Sequence, residues 1–517
     1  MLLYKWQKDC LEEWEKNSCR GIVNVITGGG KTVLALSAAN RLVNRFPDLR
    51  IRIVVPTIPL AEQWKQALIC NGKDEEDYPG FYGGTRKDSA DCRYMIYIIN
   101  SARNMLSRHI RADLAEGKHV LLICDECHHY QSKENSRIFD FLTPDIQNSR
   151  QYFSLGLSAT PFPEGETGLL EQKIGKVIYR YGFEIAILDG VISPFFVSRV
   201  AADFSDTERD IYDDLCHEIS AVAGRLFREH PELRKMEEKA FLKGVQKLAA
   251  AADYDPSEPA AVFLLLCYQR KEVSVLAKER IDCCIRLIDA LPKQERILVF
   301  CERIEQAEDA AQAIRREFGN SICAVYHSKM SRDARKRNLA LFRDHAVRVL
   351  VSCRCLDEGI DVPDATTGIV LSSSSAERQR IQRLGRLIRR APGKNAACLY
   401  YIYIRESADE RAFLPDGESC RCFDLEFDAS DQCFRNDFYE YAGTDLLRRA
   451  KKENLRTSET EELRRCLLEG LPRADYLLDR EIQKQNAILA KKRKEINYWT
   501  VMQSIGQYFQ SEGEKTP

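Results

Sequence analysis

Apolar residues recur along this chain with two periods. Short runs rich in branched and aromatic residues, Gly21 to Ile26, Ile51 to Pro56, Tyr94 to Ile99, Val120 to Cys124 and Tyr152 to Leu157, have the length and composition of strands. They alternate with helical patterns, which predicts βαβ units and a mostly parallel sheet covered on both faces. The alternation restarts with Ile297 to Cys301, Ile322 to Tyr326, Val347 to Ser352, Thr367 to Leu371 and Ala397 to Ile404, so a second α/β lobe is expected. Between the lobes, Ser205 to Leu291 has few strand signals and apolar residues at helical spacing, broken near Asp255-Pro256 and Glu258-Pro259. Beyond Arg405, Cys420 to Phe427 looks like a strand, and Leu446 to Gln510 looks helical and rich in Lys and Arg. Four parts are therefore expected: α/β domains at 1–200 and 292–405, a helical insert or linker at 201–291, and a mostly helical accessory region at 406–517.

Composition narrows the class. A chain of 517 residues is too long for one core. Its 44% apolar and 30% charged residues give an ordinary globular balance, which excludes fibrous or wholly disordered classes. The opening MLLYKWQKDC has no apolar segment behind a basic start, and the longest apolar stretch, Ala260 to Tyr268, is too short to cross a bilayer. A cytoplasmic protein with no membrane partner is expected. Its 19 cysteines sit largely inside apolar runs and read as small buried hydrophobes without disulfides. With a net charge of −1, any polyanion must be held by a local basic surface. Arg378, Arg380, Arg383, Arg386, Arg389, Arg390 and Lys394 form such a cluster beside a single acid, Glu377.

The sharpest chemical signal is Val25-Ile26-Thr27-Gly28-Gly29-Gly30-Lys31-Thr32, a strand entering a glycine loop that ends in Gly-Lys-Thr before a helical run. Glycines let successive N–H groups turn toward an anion, the helix start adds its dipole, Lys31 supplies a point charge, and the Thr32 hydroxyl can bind Mg²⁺. The first glycine of the usual phosphate-loop pattern is replaced by Val25. Asp125 and Glu126 follow a strand-like run, where α/β sheets place ligands. Asp125 is suited to hold Mg²⁺ and Glu126 to deprotonate a water. A zinc site at Cys127, His128 and His129 is the rival reading, disfavoured because adjacent residues on one turn rarely converge on one metal.

Further along come Ser158-Ala159-Thr160-Pro161, then Leu356-Asp357-Glu358-Gly359-Ile360-Asp361-Val362-Pro363, then Gln382-Arg383-Leu384-Gly385-Arg386-Leu387-Ile388-Arg389. In this order the motifs resemble those of superfamily 2 helicases, in the DEAD/DEAH-type branch related to the type III restriction subunit and the XPB-like helicases. The resemblance covers roughly the first 405 residues and implies two tandem RecA-like domains with ATP and Mg²⁺ bound between them. It makes Lys31 and Thr32 motif I, Asp125 and Glu126 motif II with His128 beside them, Ser158 and Thr160 the coupling motif III, and Gln382, Arg386 and Arg389 motif VI. Arg386 and Arg389 are then arginine fingers, and they share one helical face with Gln382. Gly359 and Asp361 fall in the loop the family uses to connect the nucleic-acid track with the nucleotide. Leu3-Tyr4-Lys5-Trp6-Gln7 resembles the adenine-reading start, with Gln7 as the reading amide and Tyr4 in place of the usual Arg.

Likeness also assigns nucleic-acid contacts: Pro56 and Thr57 with Gln63 and Trp64, Asn100 with Ser101, Arg303, and Ser328 after His327. Such groups can hold phosphates without reading bases; each alone is also an ordinary helix cap or packing residue. The expected activity is an ATP-driven helicase or translocase, with DNA preferred as the track and RNA not excluded. Two alternatives stand beside it: an ATP-gated binding switch, and a motor subunit serving an effector protein in a restriction, repair or phage-defence complex.

Overall fold

In a computed structural model the described residues are 3–70, 78–84, 86–159, 168–255, 257–353, 365–372, 387–388, 390, 396–412, 421–435, 447–448, 451–452, 457, 460 and 480–513. The chain divides into two compact units, each built on an eight-stranded sheet.

The first sheet comprises β1 (Arg20–Val25), β2 (Arg50–Val55), β3 (Gly80–Gly83), β4 (Arg86–Lys87), β5 (Tyr94–Ile98), β6 (Val120–Cys124), β7 (Tyr152–Ser158) and β8 (Val177–Tyr181). Their order is β4-β3-β5-β2-β6-β7-β1-β8, parallel except for the β3–β4 edge hairpin. β5, β6 and β7 are buried at every position because helices cover both faces, which is why their sequences are continuous apolar runs and do not alternate. Helices α1 (Lys5–Lys16), α2 (Lys31–Arg45), α3 (Ile58–Cys70) and α4 (Ile99–Ala115) accompany this sheet. β3, β4 and β8 were not among the expected strands. β3 and β4 are short and lie at one edge, and β8 is only half-buried at the other, so none carries a strong apolar signature.

The second sheet contains β9 (Phe195–Ala202), β10 (Ile297–Cys301), β11 (Cys323–Tyr326), β12 (Val349–Cys353), β13 (Thr367–Val370), β14 (Ala397–Ile404), β15 (Arg421–Asp428) and β16 (Cys433–Arg435), in the order β11-β12-β10-β13-β14-β9-β15-β16. β9 runs parallel to β14 from the Phe195–Ala397 pair to the Ala202–Ile404 pair. The domain boundary expected at residue 200 falls inside this strand, so the first domain ends before Phe195. Neither β9 nor β16 was among the expected strands.

A second correction concerns residues 406–517. β15 pairs with β9, and Trp499, Val501, Met502 and Ile505 of the helix Arg493–Gly513 share a core with Ile297, Val299 and Tyr400. The described part of this region thus completes the second unit. The insert, by contrast, has its own small core of Ile219, Leu226, Val245, Phe263 and Leu266, supplied by three helices, Asp206–Glu229, Glu238–Ala251 and Pro259–Leu276. The next helix, Glu279–Ala290, packs Cys283, Cys284 and Leu287 into the main core.

Arg280 fastens the insert to the sheet. Fully buried, it donates to the carbonyls of Ser274 at 2.7 Å, Leu371 at 2.5 Å and Ile402 at 2.6 Å, and pairs with Asp409. Replacing it with Leu strands these carbonyls and a half-buried carboxylate. We expect urea unfolding of Arg280→Leu to show a loss of about 3 kcal/mol or more.

Candidate nucleotide site

β1 ends at Val25, and the chain turns through Thr27, Gly28, Gly29 and Gly30 into α2. Gly28 has φ +84° and Gly30 φ +95°, a backbone region that side chains disfavour. A Cβ on Gly29 would lie 2.7 Å from Val25 Cγ1, and one on Gly30 would lie 2.9 Å from Gln7 Nε2. A side chain at Gly29 or Gly30 would therefore crowd its neighbours. Lys31 and Thr32 open α2, where unpaired N–H groups and the helix dipole favour an anion. Thr27 Oγ1 is buried with no hydrogen-bond partner among the described residues.

Gln7, buried on α1, braces this loop. Its Nε2 donates to the Gly30 carbonyl at 3.1 Å, and its Oε1 accepts the Tyr4 N–H at 2.9 Å. Trp6 stacks on Tyr181 at 4.7 Å between ring centroids and is core.

Asp125 and Glu126 follow β6. Glu126 takes φ +45°, unusual for a non-glycine residue, and this aims its carboxylate at α2: Oε1 lies 3.3 Å from Lys31 Nζ, with both side chains nearly buried. Its Oε2 is 3.5 Å from His128 Nδ1, which in turn lies 3.3 Å from the Ser158 hydroxyl at the end of β7. Asp125 Oδ1 accepts the Glu126 N–H at 3.0 Å, and Oδ2 accepts the indole N–H of Trp64 at 2.7 Å. Burial, then the neighbouring Glu126 carboxylate, push Asp125 up to about 6 against the pull of Lys31 and the Trp64 hydrogen bond. Burial would also raise Glu126, but Lys31 and His128 outweigh it and hold the group below its ordinary value.

Gln7, Thr27 to Thr32, Asp125, Glu126, His128 and Ser158 are thus brought together at the ends of β1, β6 and β7. Cys127, offered as a zinc ligand, instead points into the apolar core. Thr160, Gly359, Asp361, Gln382, Arg386 and Arg389 lie outside the described residues. Near the last two, Leu387 and Ile388 are buried, and the Ser193 N–H donates to the Ile388 carbonyl at 2.7 Å.

The residues expected at nucleic acid also follow strand ends. In the first unit Pro56 and Thr57 follow β2, exposed Gln63 lies on α3, and Asn100 and Ser101 open α4 after β5. In the second unit Arg303 follows β10 and exposed Ser328 follows β11. Arg303 is already engaged, stacked over Tyr268 at 4.8 Å and 3.8 Å from Glu272, both on an insert helix. His327 is buried and pairs with Glu308 at 2.5 Å. Trp64 corrects the reading more sharply: it is 1% exposed and serves Asp125, so it cannot touch nucleic acid. Tyr130 carries no motif signal in the sequence, yet its hydroxyl lies 2.9 Å from the Val54 carbonyl and 2.7 Å from that of Asp125. No spacing rule would have found it.

These residues fit a nucleotide's phosphates and a magnesium ion. Side chains at Gly29 and Gly30 would crowd the loop, a cation stands at its end, and the Thr32 hydroxyl and Asp125 carboxylate are the oxygen donors that magnesium takes. Two parallel-dominant sheets, one bearing a glycine loop that ends in Gly-Lys-Thr beside an Asp-Glu pair, have the make-up of a P-loop nucleotide-binding protein.

Comparison with known proteins refines the class. The family model of the type III restriction enzyme res subunit matches residues 1–163, and that of the helicase conserved C-terminal domain matches residues 279–391. The chain is 28% identical over 411 residues to the DNA 3'-5' translocase XPB2 of Sulfurisphaera tokodaii, covering 79% of this chain and 83% of that protein. It is 26% identical to the putative DNA 3'-5' helicase Rad25 of Halobacterium salinarum, of whose length it spans 55%. Its fold is similar to the Hef helicase domain of Pyrococcus furiosus, with a TM-score of 0.51 at 15% identity over 79% of this chain and 97% of that one. These family models and relatives support a superfamily 2 helicase related to the restriction res subunit and the XPB helicases, a class that hydrolyses ATP. No helix among the described residues is long and apolar enough to cross a membrane.

The raised Asp125 sets a pH dependence. Free carboxyls of this type titrate near about 3.9, so between there and about 6 the folded chain holds a proton that the unfolded chain has lost. The stability contributed by Asp125 is full below that window and is lost as pH rises through it. In the nucleotide-free protein, Asp125→Asn should gain stability relative to wild type as pH is raised through that window, measured by urea unfolding.

Proposed function

We propose that the chain is an ATP-dependent helicase or translocase acting on DNA, with magnesium as the metal. The observation that carries the reading is the buried Lys31–Glu126 pair at 3.3 Å, which sets a phosphate-binding cation and a base side by side at the start of α2. With nucleotide present, Lys31 turns to the β and γ phosphates, the loop N–H groups from Gly28 to Lys31 hold their oxygens, and Thr32 and Asp125 hold the metal. The metal supplies charge neutralisation on the phosphates. Glu126, released from Lys31, accepts the proton of the attacking water at its carboxylate. The remaining N–H of Gln7 is available to the adenine edge. His128 and Ser158 link Glu126 to the end of β7, a route by which the state of the nucleotide reaches the rest of the lobe.

Arg386 and Arg389, with Gln382, are assigned by family likeness to stabilise charge on the transferring phosphoryl group, and Thr160, Gly359 and Asp361 to coupling and nucleotide contact. DNA as the track follows from the DNA-directed names of the relatives. Pro56, Thr57, Gln63, Asn100, Ser101, Arg303 and Ser328 are proposed to touch its backbone, which predicts weak base preference and strong salt dependence. An effector protein subunit is compatible with this reading.

Steady-state ATP turnover with and without single-stranded DNA tests it. Lys31→Ala and Glu126→Gln should each lower DNA-stimulated turnover by on the order of 10²-fold or more, with Glu126→Gln retaining nucleotide binding. Full stimulated turnover in Glu126→Gln would eliminate the assigned base. Strand-displacement and translocation assays run in parallel distinguish a motor from an ATP-gated clamp.

A further inference from the structure

We infer that Trp64 is a positioning residue that ties the Asp125 carboxylate to the strand–helix turn bearing Pro56 and Thr57, and so carries DNA engagement to the metal site. The inference rests on the reading of Asp125 as the metal-holding acid. Three contacts converge on Asp125 from one direction. The indole N–H of Trp64 donates to Oδ2 at 2.7 Å, the Asp125 N–H donates to the Val54 carbonyl at 3.0 Å, and the Tyr130 hydroxyl lies within hydrogen-bond distance of both the Val54 and Asp125 carbonyls. β2 and β6 are adjacent and parallel, with Val54 opposite Cys124. Pro56 begins just two residues beyond the carbonyl that holds Asp125.

The geometry of α3 makes the link stiff. Ala61, Trp64 and Leu68 bury one face of this helix, while Gln63 is exposed. The Ala61 N–H is bonded to the Thr57 carbonyl at 3.1 Å, so the turn and the first helical coil move as one piece. A displacement at Thr57 or Gln63 therefore reaches the indole without a flexible joint. At the other end, each oxygen of Asp125 accepts one N–H, which fixes the carboxylate plane while leaving lone pairs on both oxygens for a metal or its water. This is how outer hydrogen bonds orient a ligand carboxylate. A phenylalanine at position 64 would keep the ring and remove only the donor.

The experiment compares wild type, Trp64→Phe, Trp64→His and Tyr130→Phe. Binding of a fluorescent mant-ADP probe is titrated with Mg²⁺, with and without single-stranded DNA, alongside ATP turnover and DNA affinity. For Trp64→Phe we expect the Mg²⁺ concentration for half-maximal probe binding to rise about tenfold. Its DNA stimulation should fall about fivefold, while single-stranded DNA affinity and metal-free probe binding stay at wild-type values. Trp64→His, which keeps a ring N–H, should recover part of both effects, and Tyr130→Phe should shift both in the same direction. A folded Trp64→Phe chain with wild-type Mg²⁺ dependence and stimulation overturns the inference alone. So does a loss of DNA affinity that accounts for the lost stimulation. Wild type without DNA-stimulated turnover overturns the functional reading and this inference with it.

Discussion

Two adjacent carboxylates, Asp125 and Glu126, are nearly buried at the end of a parallel strand, and one ammonium group stands against them. Burying like charges this close is costly, and it persists only where the surrounding structure compensates. Lys31 provides that compensation because α2 begins where the glycine loop ends, and Glu126 meets it because its backbone turns into the left-handed region. Gln7 holds the loop at Gly30, and Trp64 and Tyr130 hold Asp125. Each member of the cluster is thus held by a neighbour from another element of the first unit.

The second unit solves a different problem. Its sheet is widened by β9 and by β15, strands drawn from far apart in the chain, and its core takes apolar side chains from the helix Arg493–Gly513. Arg280 then joins the insert to the strand ends through carbonyls of Leu371 and Ile402. A guanidinium suits this junction because its fixed fork reaches several acceptors at once. The insert keeps a separate small core, while Tyr212 near the start of its first helix and the helix that follows the insert both join the main core.

In α3 one helix serves two chemistries. Its buried face meets the acid expected to hold metal, and its start and exposed face carry the groups assigned to the DNA backbone. Energetic coupling needs a stiff element that both sites can bias, and a short helix packed down through Ala61, Trp64 and Leu68 is such an element.

The strands legible in the sequence were those with strong local patterns. Val120 to Cys124, Ile297 to Cys301 and Ala397 to Ile404 occupy the residues that apolar runs indicated, because a central parallel strand must be apolar on both faces. The glycine loop and the Asp-Glu pair were legible for a related reason: their chemistry requires particular residue types at fixed spacing. Edge strands β3, β4 and β8 carry no such demand and left no signal. The sheet that β9 joins, the core shared by the C-terminal helix, and the partner of the Trp64 indole depend on contacts between residues far apart in the chain. Local order determines what each segment can form. Only the folded chain decides which distant donor meets which acceptor, because those pairings are chosen by packing and by the cost of leaving a buried polar group alone.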